Sequence, residues 1–296
     1  MEIRQLTTFA MIVKLGSFTK AADMLGYSQS AITMQVKALE DEMGTPLFER
    51  FGRTIKLTRE GESFFWYADQ ILKLAKEAKD ISASEETPKG EIILGTPESL
   101  CLHCLPELIR EYRVRYPDVE IKIRFGTCCE LYDMLHKNFI DVAFFLDEPI
   151  ADDNLIAEVL FDEPVVFIAS PKHPLAQKSI VTPEDLNGQS FIITEPGCNY
   201  RSRFDDLINA ERLRLCSTME VSSVEIIKKF TKDNLGVTVL PQTTVQDDIG
   251  SKQLAVLPWA GPSFDVKVQL VHHKEKRISP ALRAFIELTQ ATLKRS

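Results

Sequence analysis

Six cysteines and a pair of adjacent histidines are the first candidates for chemistry. Cys101-Leu102-His103-Cys104 is a C-x-x-C, the spacing a dithiol oxidoreductase uses. The surrounding Leu100, Leu102, Leu105 and Leu108 describe a buried helix instead, in which cysteine acts as a small apolar residue. A zinc site needs a second pair of matching geometry, and Cys128 and Cys129 are adjacent. His272 and His273 end a strand, where neighbours point to opposite faces and cannot readily share one ion. No nucleophile–base pair, phosphate loop or G-x-G-x-x-G is present. Catalytic residues, a metal and a cofactor are therefore not expected, and an enzyme is the less favoured class.

A second group of residues suits binding. Gln29, Ser30, Thr33, Met34 and Lys37 recur at helical spacing opposite the apolar stripe Ile32, Val36, Leu39 and Met43. Spacing alone leaves open a base-reading surface or the solvated side of a small helical bundle. Arg50, Arg53, Lys56 and Arg59 follow within ten residues, opposed only by Glu49. This is where a short element could meet phosphate, although the chain as a whole carries −8.

The elements that must position these residues follow from pattern. At 296 residues and 44% hydrophobic content, the chain has length for about two domains and enough apolar residues for real cores. Leu6, Phe9, Ala10 and Val13 mark a first helix that Gly16 stops; Ser17 caps a second carrying Phe18, Ala21, Ala22 and Leu25; Ser28 caps the third. Two compact helices joined by a Gly-containing turn make a helix-turn-helix. Pro46–Arg50 leads through Phe51-Gly52-Arg53 to Thr54–Leu57, which reads as two short strands around a Gly turn. A longer helix over 58–82 carries Phe64, Ala68, Ile71, Ala75 and Ala78 at heptad-like spacing, a seam for a second copy or a face packed on the chain's own wing. Polar residues 82–90, ending in Pro88 and Gly90, form a linker. Beyond Glu91, strands at 91–96, 120–125, 142–146, 164–169, 191–194, 237–240 and 266–272 alternate with helices near 100–115, 128–138, 200–210 and 223–233. That pattern predicts a mostly parallel α/β sheet in two parts.

Phe18-Thr19-Lys20-Ala21-Ala22, Ser28-Gln29-Ser30-Ala31-Ile32-Thr33, Leu39-Glu40, Leu47-Phe48-Glu49-Arg50, Arg53 and Leu57-Thr58-Arg59-Glu60-Gly61 together resemble the N-terminal module of the LysR-type transcriptional regulators. Ser30 stands where many members have proline, and it suits the first helical turn equally. The resemblance implies an α/β protein with three parts. Residues 1–60 form a winged helix-turn-helix, 61–90 a dimerisation helix and hinge, and 91–296 a two-lobed, periplasmic-binding-protein-like effector domain. Lobe I comprises 91–161 with 266–296, and lobe II 162–265. It further implies a bacterial regulator that binds a double-stranded operator, dimerises through 58–82 and tetramerises through its effector domains. No apolar run reaches the roughly 18 residues a membrane span requires, and the charged N-terminus lacks a leader-like apolar stretch. A soluble cytoplasmic protein is expected.

In such a regulator the third helix enters the major groove. Thr33 would meet base edges, Met34 a thymine methyl, Lys37 phosphate or guanine, and Gln29 adenine or backbone, beside Ser30. Arg50 and Arg53 on the wing suit phosphate. Ligands of open α/β domains bind beyond the carboxyl ends of strands, where helices present free N–H groups. That rule singles out Ser99 and Thr127, then Asn199, Tyr200 and Ser222, as contacts for a small anionic effector, each of which plain helix capping would also explain. The alternative reading is a thiol sensor or dithiol enzyme using Cys198 with Cys216, 18 residues apart, or Cys101 with Cys104. Cys198 lies near where peroxide-sensing members of the family place a reactive thiol.

Overall fold

Three helices and a two-stranded ribbon open the chain, in a computed structural model that describes residues 1–51, 54–79 and 87–294. The chain divides into two compact units, Met1–Ser84 and Glu85–Ser296. The first holds helices α1 (Ile3–Leu15), α2 (Phe18–Leu25) and α3 (Gln29–Met43), strands β1 (Phe48–Phe51) and β2 (Thr54–Leu57), and helix α4 (Arg59–Lys79). Ser17 and Ser28 cap α2 and α3 by accepting the N–H of Lys20 and Ala31, which relieves amides that a helix start cannot pair internally. Ile32, Val36 and Leu39 are buried as the wheel requires, whereas Met43 at the frayed end of the stripe is exposed.

The junction of α3, wing and α4 is fixed by backbone contacts that explain several residues of the family pattern. Glu40 Oε1 accepts the N–H of Leu47 at 2.8 Å and of Phe48 at 3.2 Å. Thr58 donates its hydroxyl to Pro46 O and accepts the N–H of Gly61, both at 2.8 Å. A β carbon on Gly61 would lie 2.0 Å from Leu47 O. No side chain fits there. Leu6, Phe9, Leu39, Leu47 and Ala68 close the core over this junction, with Phe64 and Ile71 packed against them.

That core corrects one expectation. Phe64, Ala68 and Ile71, the first half of the heptad stripe, face inward in their own unit, because Leu6 and Phe9 of α1 supply an apolar partner that reading one helix in isolation does not reveal. The large apolar residues α4 leaves exposed are Tyr67 at 59% and Leu74 at 54%, seven residues apart.

The second unit is two-lobed. Its first sheet runs in the order β4 (Val119–Phe125), β3 (Gly90–Thr96), β5 (Val142–Asp147), β12 (Val266–His273), β6 (Leu155–Glu163). Helices α5 (Glu98–His103), α6 (Leu105–Arg115), α7 (Cys128–His136) and α11 (Pro280–Leu293) belong to this lobe. Lobe II holds β7 (Val165–Ala169) between β10 (Thr238–Pro241) and β11 (Ala255–Val256), and β8 (Ser190–Ile193) paired with β9 (Ser217–Glu220). Helices α8 (Asn199–Ala210), α9 (Val224–Lys232) and the short α10 (Gln246–Gly250) complete it. Phe167 packs against Phe191, Phe204, Trp259 and Phe264 at its centre.

The sheets are mixed, not mostly parallel. β3 pairs parallel with β4 and β5, and β8 with β9, but β12 is antiparallel to both β5 and β6, and β7 to β10 and β11. The reason is the crossover: β6 runs out of lobe I towards lobe II, so the returning β12 must run the other way. β6 is not among the strands expected from the sequence, and its last residues, Asp162 and Glu163, pair with Lys267 and Val266. Pro164 follows β6 directly and precedes β7. Sequence reading missed β6, the two-residue β11 and β9, whose four residues are all exposed, together with helices α10 and α11.

Replacing Gly61 by alanine should destabilise the first unit by about 1–3 kcal/mol, the usual cost of forcing an atom into packed space. Denaturant unfolding of the full chain, followed at the transition of the first unit, measures it; an unchanged midpoint would contradict the close approach to Leu47.

Candidate nucleic-acid interface and interlobe cleft

Helix α3 presents the residues singled out for base reading together. Gln29, Ser30, Met34 and Lys37 are exposed and Thr33 is half-buried. Thr33 donates its hydroxyl to Gln29 O at 2.8 Å, which leaves its oxygen free only as an acceptor. Ser30 Oγ lies 3.0 Å from Ser28 Oγ, which is also the cap. Met34 is 73% exposed. Arg50 stands in β1 opposite Ile55, and Arg53 lies outside the described residues. A shallow hollow of about 620 Å³ separates α3 from the start of the wing, with Thr33 and Lys37 on one side and Thr45 and Pro46 on the other.

In the second unit the expected positions gather where the two lobes meet, but with different partners from those expected. Glu98, at the start of α5 in lobe I, reaches the first turn of α9 in lobe II: its Oε1 accepts from Ser223 Oγ at 3.1 Å and its Oε2 from the N–H of Val224 at 2.6 Å. Asn199, at the start of α8, donates its amide to Asp147 at the carboxyl end of β5. Arg203, one turn further on, pairs with Glu148. Gly197 lies so close to lobe I that a β carbon there would stand 3.3 Å from Thr127. Lobe I supplies the acids and lobe II the donors.

The individual side chains divide accordingly. Ser99 is buried, 2% exposed, in the first turn of α5. Thr127 caps α7 in a reciprocal box with Glu130, which is the plain structural role its position also allowed. Tyr200 is fully buried, which pushes its phenol well up. Ser222 is exposed on the surface, and its neighbour Ser223 takes the N-cap position of α9. Arg201 turns inward, 13% exposed, onto Asp205 and Thr194 O. Asp147 and Arg203 escaped sequence reasoning, and Glu98 and Ser223 lie in segments it marked without being chosen as contacts. The available signal was an acid placed immediately after a strand: Glu98 after β3, Asp147 ending β5.

Cys128 is buried and Cys101, Cys104 and Cys198 are half-buried, whereas Cys129 and Cys216 are exposed. Cys198 stands beside Thr194 and Tyr200, and burial, reinforced by Glu195, pushes its thiol up to about 11. Its sulfur neighbour across the cleft is Cys128, similarly pushed up to about 12 by burial, which donates to Leu146 O at 3.5 Å; Cys216 lies exposed before β9. Burial also raises Cys101, with Glu98 adding to the effect. Protonated thiols are poor nucleophiles. His273 meets His136 ring to ring at 5.7 Å, and His136 reaches Asp152 at 3.1 Å. Among the described residues, no group of three or more His, Cys, Asp or Glu could hold a metal ion, and no helix is long and apolar enough to cross a membrane.

Asp147 generates a pH prediction. Burial raises it from 3.8 to about 6, against an opposing effect of Arg203. The folded protein therefore holds this proton more tightly than the unfolded chain, and the stability linked to it is lost as pH rises from about 4 through about 6. Asp147→Asn should unfold at higher denaturant than wild type at pH 7.5 and lose that advantage by pH 4; equal midpoints at both values would contradict the assignment. Glu98 generates another. The N–H of Val224 opens a helix and has no acceptor within it, so Glu98→Ala should speed its hydrogen exchange about tenfold or more, the expected effect of losing a charge-assisted bond.

Comparison with known proteins identifies both units of the chain. Residues 3–62 match the family described as bacterial regulatory helix-turn-helix protein, lysR family, and residues 85–294 match the LysR substrate binding domain. The HTH-type transcriptional regulator YwqM of Bacillus subtilis is 35% identical over 99% of this chain and all of its own length. Among solved structures, a full-length cysteine variant of OxyR from Pseudomonas aeruginosa is 25% identical, with TM-score 0.71 over 99% of this chain and 94% of that one. Full-length CbnR in complex with its target DNA has the same fold, at TM-score 0.70 and 23% identity over 99% of this chain and all of that one. The chain belongs to the LysR family of helix-turn-helix transcriptional regulators.

Proposed function

We propose that residues 1–60 bind an operator, 61–90 join two copies and lead into a hinge, and 91–296 hold a small effector between lobes that exchange chain at Pro164 and before Val266. The protein acts as a regulator in the cytoplasm, not as an enzyme. Gln29, Ser30, Thr33, Met34 and Lys37 contact bases or their flanking phosphates, while Arg50 and Arg53 on the wing hold phosphate. Two copies meet through the side of α4 that carries Tyr67 and Leu74, and effector domains pair these dimers into a tetramer.

The observation that carries the effector reading is the set of cross-lobe contacts at the starts of α8 and α9. An anionic effector held among Ser99, Thr127, Asn199, Tyr200 and Ser222 would take over donors that Glu98 and Asp147 now occupy. Its binding would exchange an internal carboxylate for an external one and favour a different lobe arrangement. That arrangement would be coupled to the spacing of the DNA-binding pairs.

The test is a footprint of the purified protein across the promoter region beside its own gene, at two salt concentrations. A dyad-symmetric site protected over about two or more helical turns is expected. Lys37→Ala should weaken binding, and Arg53→Ala should weaken it about equally on all sequences while lowering the salt slope by about 1. Weak, sequence-independent protection alone would contradict the reading, and an unchanged slope would remove Arg53 from the phosphate contacts.

A further inference from the structure

Helices α5 and α9 meet at two levels. At the first, Glu98 holds the opening turn of α9 through Ser223 and Val224. At the second, His103 closes α5, and Lys228 stands one turn beyond Val224. α5 also packs on the turn Gln242–Val245 that leads into α10. The charges that act on His103 come mainly from lobe II: Lys228 and Glu225 on α9, Asp247 and Asp248 on α10. The Lys228 side chain is 6% exposed, its Nζ 2.9 Å from Glu225 Oε1 and 2.8 Å from Asp248 Oδ2, and Lys232 reaches Asp248 at 2.5 Å. Glu225 and Asp248 are thus already engaged by lysines. His103 Nε2 is buried with no hydrogen-bond partner, so a ring protonated on both nitrogens would bury an unanswered donor near a lysine. Burial first and Lys228 second hold this ring below its ordinary value, against the opposing pull of the three carboxylates.

We propose that His103 makes the arrangement of the lobes sensitive to acid: its protonation loosens the contact of α5 with α9 and α10, and with it the hold of Glu98 on α9. The proton is then a second input beside the effector. This inference rests on the two-lobed geometry and not on the operator or effector contacts, so its failure leaves those readings standing. An arrangement that lets water reach the ring accepts the proton more readily, so acid draws the population towards it. The contact is fully favoured above the ordinary histidine value of 6.5 and loses ground as pH falls below it. Asp147 titrates in an overlapping range with the opposite sign: the arrangement raises it to about 6, so taking up its proton favours the contact.

The experiment measures the distance between spectroscopic probes on noncanonical residues at Glu120 in lobe I and Arg212 in lobe II of the full-length protein. It is made at pH 7.5 and at about 5.5, on either side of the ordinary histidine value. The distribution should broaden or shift on acidification in wild type and stay unchanged in His103→Gln, which keeps a polar side chain without the titratable ring. Asp147→Asn should keep or enlarge the response. Lys228→Gln should move its midpoint to higher pH, because it removes the cation that opposes protonation. The proposal is overturned if the wild-type distribution is the same at both pH values, if His103→Gln responds as wild type does, or if Lys228→Gln leaves the midpoint unmoved. Loss of the response in Asp147→Asn also overturns it, by assigning the effect to that carboxylate. Where His103→Gln fails to fold, the direction of the Lys228→Gln shift decides alone.

Discussion

The first amides of a helix find no acceptor within it, and where such a helix start faces a second lobe the missing acceptor can come from across the gap. In this protein it does. Glu98 of lobe I accepts the backbone N–H of Val224, with the hydroxyl of Ser223, at the start of α9, and Asp147 accepts the side-chain amide of Asn199 at the start of α8. The Arg203–Glu148 ion pair, the approach of Gly197 to Thr127, a shared apolar core and the chain crossings at Pro164 and before Val266 also join the lobes, and these carboxylates act with them in setting how the lobes stand to each other. A charge-assisted bond to a backbone N–H is among the stronger single contacts available to a protein. It is also one that an external anion can replace at little cost, because the donor is satisfied in either state.

The DNA-binding unit uses the same device to a different end. Glu40 accepts the N–H groups of Leu47 and Phe48, and Thr58 ties Pro46 to Gly61. These residues hold the wing against α3 and set the entry of α4. They touch no DNA in this account; they make the wing a rigid extension of the helix whose outward side does the reading. The glycine at 61 is required by the approach of Leu47 O, not by an unusual backbone angle.

Much of this was legible in the residues. Ser17, Ser28 and the apolar periods of the first forty residues define the three helices, because helix caps and a buried stripe are local properties. The polar residues of α3 emerge together on one side for the same reason. What the sequence hides is tertiary. The stripe Phe64, Ala68 and Ile71 is the same pattern whether it meets another copy or α1, and only the fold shows that Leu6 and Phe9 lie opposite. The mixed sheets follow from a chain that leaves lobe I through β6 and returns through β12, a feature of connectivity that strand propensity does not carry. In the cleft, the turns after β3 and β4 follow from the rule that ligands lie beyond strand ends, whereas Asp147 at the end of β5 does not, and Ser99 and Thr127 drew attention that belongs equally to Glu98 and Asp147. An acid at the end of a strand is read as solvated until its partner, more than a hundred residues away in the case of Val224, is known.

The central claim is that the chain's own carboxylates set the lobe arrangement. The direct measurement is the distance between spectroscopic probes, carried on noncanonical residues at Glu120 in lobe I and Arg212 in lobe II, in full-length wild type and in Glu98→Ala. A single narrow distribution in wild type that broadens or shifts in Glu98→Ala is the predicted result. Identical distributions in the two proteins would contradict it and reduce Glu98 to a cap on α9.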